Sequence, residues 1–406
     1  MASIIRSVTI LYIFVLCIVA NVTISMIDNQ IVASKRIFGL DFLRAISILM
    51  VLFSHISWIY QSEGLLGKMQ DFSGLIGIEL FLMLSGYLVG SIILKQFLTQ
   101  QYSLKEVGNF VKRRLFRILP SYYLILVINI LIALVIGLSI ADWGLYFLFF
   151  QNFTTPIPSL FPESWSLPIK ELSYFLVVFI LFAFAKQIRL HLRKSFFLFI
   201  VYGLLVLSIF LKVLYHFDNP VFSLLTWTAE VRSVVIYRMD SVMFGILFGY
   251  YYAEYKTFFE QRSNFLLAIG IFLLLTFILL LLFFNLNTIA WFWNVMALPF
   301  ISLIVLCFLP TLLSWNKASQ KFRTTVTVLC NLSYSVYLIH YSIVLFLMKY
   351  FIDTHSFSVN QLHLFTLVYL LITFTLGYFF YTYFEKPINA FRVSNFKLNG
   401  KKIFTR

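Results

Sequence analysis

The chain has 406 residues, of which 61% are hydrophobic and only 12% are charged. Soluble domains average about 25% charged residues, so this composition excludes a soluble protein and indicates one that crosses a membrane several times. The net charge of +15 does not indicate nucleic-acid binding, because basic loops on one side of a membrane account for it. The three cysteines lie within apolar runs and predict neither a disulfide framework nor a metal site.

Apolar runs predict an all-α fold, a polytopic membrane helical bundle of about ten core spans preceded by one extra N-terminal helix. The first run, 4–26, follows a start with a single arginine and has no clear cleavage site. This favours an uncleaved membrane helix over a signal peptide, with a helix lying at the interface as the alternative. The core spans are predicted at 38–60, 74–94, 119–140, 168–186, 195–214, 235–254, 264–284, 288–310, 326–350 and 363–384.

Lysine and arginine alternate from loop to loop along the chain. They are concentrated in 95–117, 186–194, 256–262, 317–323 and the C-terminal tail. The loops between these segments are almost free of them, so the positive-inside rule places the basic segments and the C-terminus in the cytoplasm. We divide the chain into an N-terminal membrane helix at 1–34, a membrane domain at 35–392 and a basic cytoplasmic tail at 393–406.

The first core span, 38–60, carries ionisable residues inside an apolar run. Arg44 and His55 are eleven residues apart, about three helical turns, so both lie on one face roughly 16 Å apart along the axis. Asp41 precedes Arg44 by three residues on nearly the same face. Ionisable side chains are costly in a bilayer and therefore indicate a functional site. A structural Asp–Arg pair with a hydrogen-bonded core histidine is the alternative.

Two more segments carry candidate site residues. Arg114 and Arg117 lie three residues apart before Pro120, which suits the start of the next helix. Two guanidinium groups at the cytoplasmic surface suit a phosphate group, and lipid headgroup contact is the alternative. Glu171 follows Trp165 at the outer mouth of its span, where an extracytoplasmic substrate would arrive.

Polar residues inside other spans predict a supporting network. Glu79 and Ser85 lie in the second span, where Glu79 needs a partner and four glycines permit close helix packing. Arg238 and Asp240 are expected to pair, because charged groups within membrane segments generally do so. His340, in the middle of an apolar run, is more typical of a hydrogen-bonded core residue than of a ligand.

Taken in order, these residues resemble the motifs of the integral-membrane acyltransferase-3 family, whose best-known members O-acylate bacterial surface glycans. The resemblance covers about 37–392. Arg44 and His55 match the Arg-x10-His pattern of that family. The other matching residues are Gly74, Gly77, Glu79, Leu80, Phe81, Leu84, Ser85, Gly86 and Tyr87; Arg114, Arg117, Pro120 and Tyr123; Trp165, Ser166, Leu167 and Glu171; Arg238, Asp240 and Gly245; Tyr337, Leu338 and His340; and Glu385, Lys386 and Pro387.

The resemblance implies a membrane O-acyltransferase. It would move an acyl group, expected to be acetyl, from cytoplasmic acyl-CoA to a hydroxyl of an extracytoplasmic or lipid-linked glycan such as O-antigen. The donor's phosphates are expected against Arg114, Arg117 and Arg44, with the thioester near His55. A neutral His55 can act as a general base or as a nucleophile that carries the acyl group, and the residues do not choose between them. Glu171 can orient the acceptor or relay its proton.

The same resemblance implies acyl-CoA as a co-substrate, no bound cofactor or metal, and a bacterial cytoplasmic (inner) membrane as the location. The partners are the donor, the glycan acceptor and the lipid bilayer. Some family members carry a C-terminal esterase-like domain, and any second transfer step here is expected to need a separate partner. The rival class is a transporter of a lipid-linked sugar or small molecule, since embedded charges also mark transport pathways. The sequence does not determine the acceptor, the acyl chain or the oligomeric state.

Overall fold

The computed structural model describes residues 36–61, 64–99, 102–140, 142–156, 159–220, 223–283 and 289–397. The predicted N-terminal helix at 1–34 and the end of the tail from 398 onward lie outside these ranges. Within them the chain is helical and contains no strand, which confirms the all-α membrane fold.

In the described part of the chain, ten long helices overlap the ten predicted core spans. They are α1 Phe38–His55, α2 Gly64–Phe97, α3 Leu104–Ile136, α4 Ser166–Phe184, α5 Arg193–Asp218, α6 Val235–Glu254, α7 Ser263–Phe283, α8 Ala297–Ser314, α9 Gln320–Ile339 and α10 Val359–Phe380. A further helix, α11, covers Lys386–Lys397. Nine of the described helical segments are long and apolar enough to cross a membrane. Helix α6 is less apolar, because it carries Arg238, Asp240 and three consecutive tyrosines at 250–252.

Helix α3 corrects one prediction. The sequence predicts Pro120 at the start of a span, but the helix begins at Leu104 and Pro120 lies inside it. A proline within a helix removes one backbone hydrogen bond, which membrane helices tolerate where neighbouring groups satisfy the freed carbonyl. Arg114 and Arg117 therefore project from a continuous helix rather than from a loop.

By its internal contacts the chain divides into two compact units. We call the first the histidine unit; it contains the described residues up to Gly77, Phe116–Asn129 and the described residues from Trp315 onward. In this unit α9 packs against both α1 and α10. A Cβ added at Gly77 would lie only 2.9 Å from the carbonyl oxygen of Ser47, so the missing side chain permits close approach to α1.

The second, which we call the arginine unit, contains Ile78–Leu115 and Ile130–Ser314. Its central helix is α6, which packs against α4, α5 and α8. A Cβ at Gly86 would collide with the carbonyl of Val242, and one at Gly90 would meet Ile246. Small residues on α2 thus allow close packing against α6, as the glycine pattern of this span predicts.

Candidate active site

Two imidazole rings meet in the histidine unit. His55 is the last residue of α1, and its ring centroid lies 4.8 Å from that of His340 and 4.9 Å from that of Tyr341. His340 is fully buried and begins a π-helical turn, His340–Leu345, directly after α9. Such turns inside helices often occur at functional sites. Sequence periodicity could not reveal this contact, because the two histidines lie on separate spans.

In each of these histidines a backbone carbonyl holds one ring nitrogen. Nδ1 of His55 lies 2.9 Å from the carbonyl oxygen of Val51, and Nδ1 of His340 lies 2.8 Å from that of Tyr337. A carbonyl oxygen only accepts hydrogen bonds, so in a neutral ring Nδ1 carries the proton and Nε2 carries the lone pair. Nε2 of His340 is buried and has no hydrogen-bond partner among the described residues. The sequence predicts a hydrogen-bonded core residue at His340, and the structure satisfies only one of its two nitrogens.

Near the start of α1, the Asp41 carboxylate lies close to the guanidinium groups of two arginines. Its carboxylate oxygens lie 3.8 Å from Nη1 of Arg44 and 3.9 Å from Nη1 of Arg36. The Sγ of Cys330 lies 3.4 Å from Oδ1 of the same carboxylate. Asp41 is buried whereas both arginines are partly exposed. Asp41 can therefore hold Arg44, and the unbroken helix sets Arg44 and His55 about 16 Å apart along its axis.

In the arginine unit, Arg114 makes a two-point ion pair with Glu171. Nε of Arg114 lies 3.1 Å from Oε2 and Nη2 lies 3.0 Å from Oε1. The Glu171 side chain is buried, and the guanidinium group also lies 4.8 Å from the ring centroid of Tyr174. The sequence places Arg114 at the cytoplasmic surface and Glu171 at the outer mouth, and this contact shows that they do not lie at opposite membrane faces.

Several polar residues of the segment before α4 are buried, which the loop pattern does not predict. Its buried polar residues are Gln151, Asn152, Glu163 and Ser164. Nδ2 of Asn152 donates to the carbonyl oxygens of Trp165 at 2.9 Å and Ser233 at 2.5 Å. Trp165 is itself buried, with the guanidinium of Arg232 at 5.5 Å from its ring centroid, so it is not an interfacial anchor. In the same segment, burial raises the pKa of the Tyr146 phenol above its usual range.

Four buried charges form a closed cluster around α6. Arg238 donates to the Glu79 carboxylate and, from Nη1 at 3.1 Å, to Oδ1 of Asp240. Lys212 of α5 donates to the other Asp240 oxygen at 2.5 Å. All four side chains are fully buried, and two positive charges balance two negative ones. The sequence analysis does not predict a role for Lys212, although a single lysine within the apolar run 204–214 indicates a charge that needs a partner inside the membrane.

Hydroxyl groups complete this cluster. Ser241 donates to Oε2 of Glu79 at 2.6 Å, and Ser302 of α8 lies 3.0 Å from the Ser241 hydroxyl. Ser85 is half-buried on α2 and does not take part in the described contacts of the cluster. Arg117, in the histidine unit, is exposed on α3 and close enough to Glu385 for their charges to interact.

Comparison with known proteins decides the family. Residues 37–382 match the acyltransferase-domain model of the acyltransferase-3 family. The chain belongs to the acyltransferase-3 family. The match confirms the resemblance on which the motif residues rest, and it makes the protein an acyltransferase by family. No solved structure matches the chain.

Several curated bacterial proteins are distant relatives. Peptidoglycan O-acetyltransferase OatA of Listeria monocytogenes is 25% identical over 283 residues, 58% of this chain and 43% of its own length. A Staphylococcus aureus protein, provisionally named an O-acetyltransferase, is 25% identical over 344 residues, 79% of this chain and 52% of its own length. O-acetyltransferase OatA of Staphylococcus aureus is 22% identical over 400 residues, 91% of this chain and 60% of its own length. The chain spans about half the length of the curated relatives it matches.

Proposed function

We propose that this protein is a membrane O-acetyltransferase that moves an acetyl group from acyl-CoA to a hydroxyl of an extracytoplasmic or lipid-linked envelope glycan. The membrane is the bacterial cytoplasmic membrane, with the Arg44 end of α1 and the C-terminus facing the cytoplasm. The names of the relatives support O-acetyl transfer, and the Listeria protein's name supports a glycan acceptor.

The observation that carries this proposal is the pair of imidazoles. His55 and His340 each direct Nδ1 to a carbonyl oxygen, which leaves the two Nε2 atoms as the basic nitrogens. His55 is only half-buried, so a substrate can approach it. A nitrogen base next to an acceptor hydroxyl and a thioester is what acyl transfer requires.

Two balanced routes use the same nitrogen. In direct transfer, Nε2 of His55 takes the proton of the acceptor hydroxyl while its oxygen attacks the thioester carbonyl; the C–S bond breaks, and the imidazolium returns the proton to the leaving thiolate. In the covalent route, Nε2 attacks the thioester carbonyl, the C–S bond breaks and the CoA thiolate leaves an acyl-imidazolium. The acceptor hydroxyl then takes the acyl group as the N–C bond breaks, and its proton passes to Nε2 and on to the thiolate. The motif match keeps Glu171, held by its ion pair with Arg114, as the second proposed catalytic residue.

The arrangement divides the predicted donor-binding arginines into two kinds. Arg44 and Arg117 are partly or fully exposed and suit the phosphates of acyl-CoA. Arg114 already directs two donor groups at Glu171, so its role in the proposal is to hold that carboxylate rather than to lead in phosphate recognition.

The test is thiol release from acetyl-CoA by purified protein in proteoliposomes, with and without an envelope-glycan extract. His55→Ala is compared with His191→Ala, because His191 is exposed in the turn Leu190–Leu192 and lies outside the described clusters. We expect glycan-dependent release in the wild type and His191→Ala, and its loss in His55→Ala at equal protein level and equal donor binding.

Each outcome has a distinct meaning. Release without glycan that leaves an acyl-labelled protein favours the covalent route. Release that survives His55→Ala removes His55 from the chemistry. No release from several acyl-CoA donors, with folded protein that binds none of them, contradicts the proposal and favours the transporter.

A further inference from the structure

An exposed tryptophan is separated from His55 by a single aromatic ring, that of Tyr341. Trp58, in the turn that follows α1, is 54% exposed. Its ring meets the ring of Tyr341 edge-on at a centroid distance of 5.8 Å, and Tyr341 in turn lies 4.9 Å from the His55 ring. A row of three rings therefore connects an exposed indole with the imidazole at which transfer is proposed.

The side chain of Lys349 contacts Trp58. Nζ of Lys349 donates to the backbone carbonyl of Trp58 at 2.7 Å and lies 5.9 Å from the centroid of its ring. Cations attract the face of an indole ring, and an ammonium group is strongly hydrated. The contact restricts the orientation of the ring and places a strongly hydrated group beside it.

Polar side chains lie on the same end of the histidine unit. The hydroxyl of Tyr60 lies 2.6 Å from Nδ1 of His363, and Nε2 of Gln61 lies 3.2 Å from Nδ1 of His355. Gln61 and His355 are exposed. A ligand at Trp58 would therefore meet an aromatic face together with groups that donate and accept hydrogen bonds.

We propose that the exposed indole of Trp58 forms a platform on which a pyranose ring of the acceptor stacks, beside the edge-on ring of Tyr341, so that one of its hydroxyl groups is presented to His55. A pyranose has an apolar C–H face that suits an indole and a rim of hydroxyl groups that suits the polar side chains nearby. The inference rests on the proposed function and narrows it, because it assigns the acceptor to the glycans rather than to small alcohols without a sugar ring.

An aromatic anchor at the membrane interface is the competing explanation for any exposed tryptophan. Substitution by leucine separates the two roles, because leucine keeps an apolar side chain for lipid contact and removes the flat face for stacking. Trp143 provides the matched control: it is 49% exposed, lies in the short helix Trp143–Phe147 and belongs to the arginine unit.

The kinetic experiment measures thiol release in proteoliposomes while the concentration of envelope-glycan extract is varied at saturating acetyl-CoA. We expect Trp58→Leu to raise the half-saturating glycan concentration about tenfold, as the loss of one aromatic stacking contact predicts. The KM for acetyl-CoA should stay unchanged, Trp58→Tyr should recover most of the loss, and Trp143→Leu should match the wild type. Equal behaviour of Trp58→Leu and Trp143→Leu would overturn the platform, as would a rise in the donor KM instead.

A binding experiment distinguishes this inference from the proposed function itself. Detergent-solubilised protein is run through native gels that contain either the glycan extract or polyethylene glycol, which has no sugar ring, at the same concentration. Retardation of the wild type by the extract, lost in Trp58→Leu and kept in Trp143→Leu, supports the platform even if no acyl transfer is observed. Identical migration of the wild type and Trp58→Leu in the extract overturns it, whatever the outcome of the transfer assay.

Discussion

Replacing Lys212 by methionine should destabilise the protein far more than replacing Lys194 by methionine. Both lysines lie on α5, and both pair with a carboxylate of α6. Nζ of Lys212 lies 2.5 Å from Oδ2 of Asp240, with both side chains fully buried. Nζ of Lys194 lies 2.6 Å from Oε1 of Glu254, with the side chains 47% and 33% exposed. The two pairs thus share their helices and chemistry and differ in burial.

The expected loss follows from the charge balance of the cluster. Glu79 and Asp240 are opposed by Arg238 and Lys212 with no net charge, and all four are closed off from solvent. Lys212→Met leaves one buried negative charge unbalanced, and breaking a buried ion pair in this way costs about 3–5 kcal/mol. At the exposed pair of Lys194, water and salt replace the lost partner, so no measurable change is expected.

The assay is the midpoint of thermal unfolding in detergent micelles, followed by intrinsic fluorescence. A double variant, Lys212→Met with Asp240→Asn, tests the origin of the loss, because it restores neutrality with Glu79 and Arg238 as the remaining charges. The new amide oxygen can still accept from Arg238, so the double variant should recover more than half of the lost stability. Equal shifts for Lys212→Met and Lys194→Met, or a double variant less stable than Lys212→Met alone, would refute the reasoning.

Two further predictions use the same unfolding and transfer assays. Arg114→Ala should lower the unfolding midpoint more than Arg117→Ala does, because it leaves the buried Glu171 carboxylate without its ion pair. Arg117→Ala, at an exposed residue, should instead raise the KM for acetyl-CoA, and the reverse pattern would exchange the roles of the two arginines. Gly86→Ala should destabilise, because its Cβ would collide with a carbonyl of α6, whereas Gly203→Ala should be neutral or stabilising, because nothing lies within 4 Å of a Cβ there. A stable Gly86→Ala protein would show that α2 and α6 can separate.

The positions of the helices follow from the sequence, because hydrocarbon demands about twenty apolar residues with their backbone groups bonded internally. The shared face of Arg44 and His55 follows from the helical period alone. The sequence does not predict where α2 and α3 begin. They start at Gly64 and Leu104, because each helix includes polar turns that carry no hydropathy signal before its apolar run.

The partners of the buried charges could not be predicted from the pattern. Loop alternation assigns each segment to a membrane face as if every polar stretch lay outside the bilayer. The stretch before α4 shows that a polar loop can also be buried within the protein, because Asn152 is buried and donates to the backbone carbonyls of Trp165 and Ser233. A hydropathy profile does not describe how such segments pair, so it could not predict the ion pair between Glu171 and Arg114.

Hydrogen bonding distinguishes the Arg238 cluster from His340. In the Arg238 cluster each carboxylate and each cation has its partners, which is how a buried charged network contributes to stability without chemistry. At His340 one nitrogen is buried without a partner among the described residues, at an expected cost of about 1–3 kcal/mol. Such a group is explained when a reaction supplies its partner for part of the cycle. In the proposed transfer, a proton taken up by His55, whose ring contacts that of His340, would give this nitrogen a partner. The proposed chemistry is therefore placed in the histidine unit, although the Arg238 cluster of the arginine unit holds four fully buried charges.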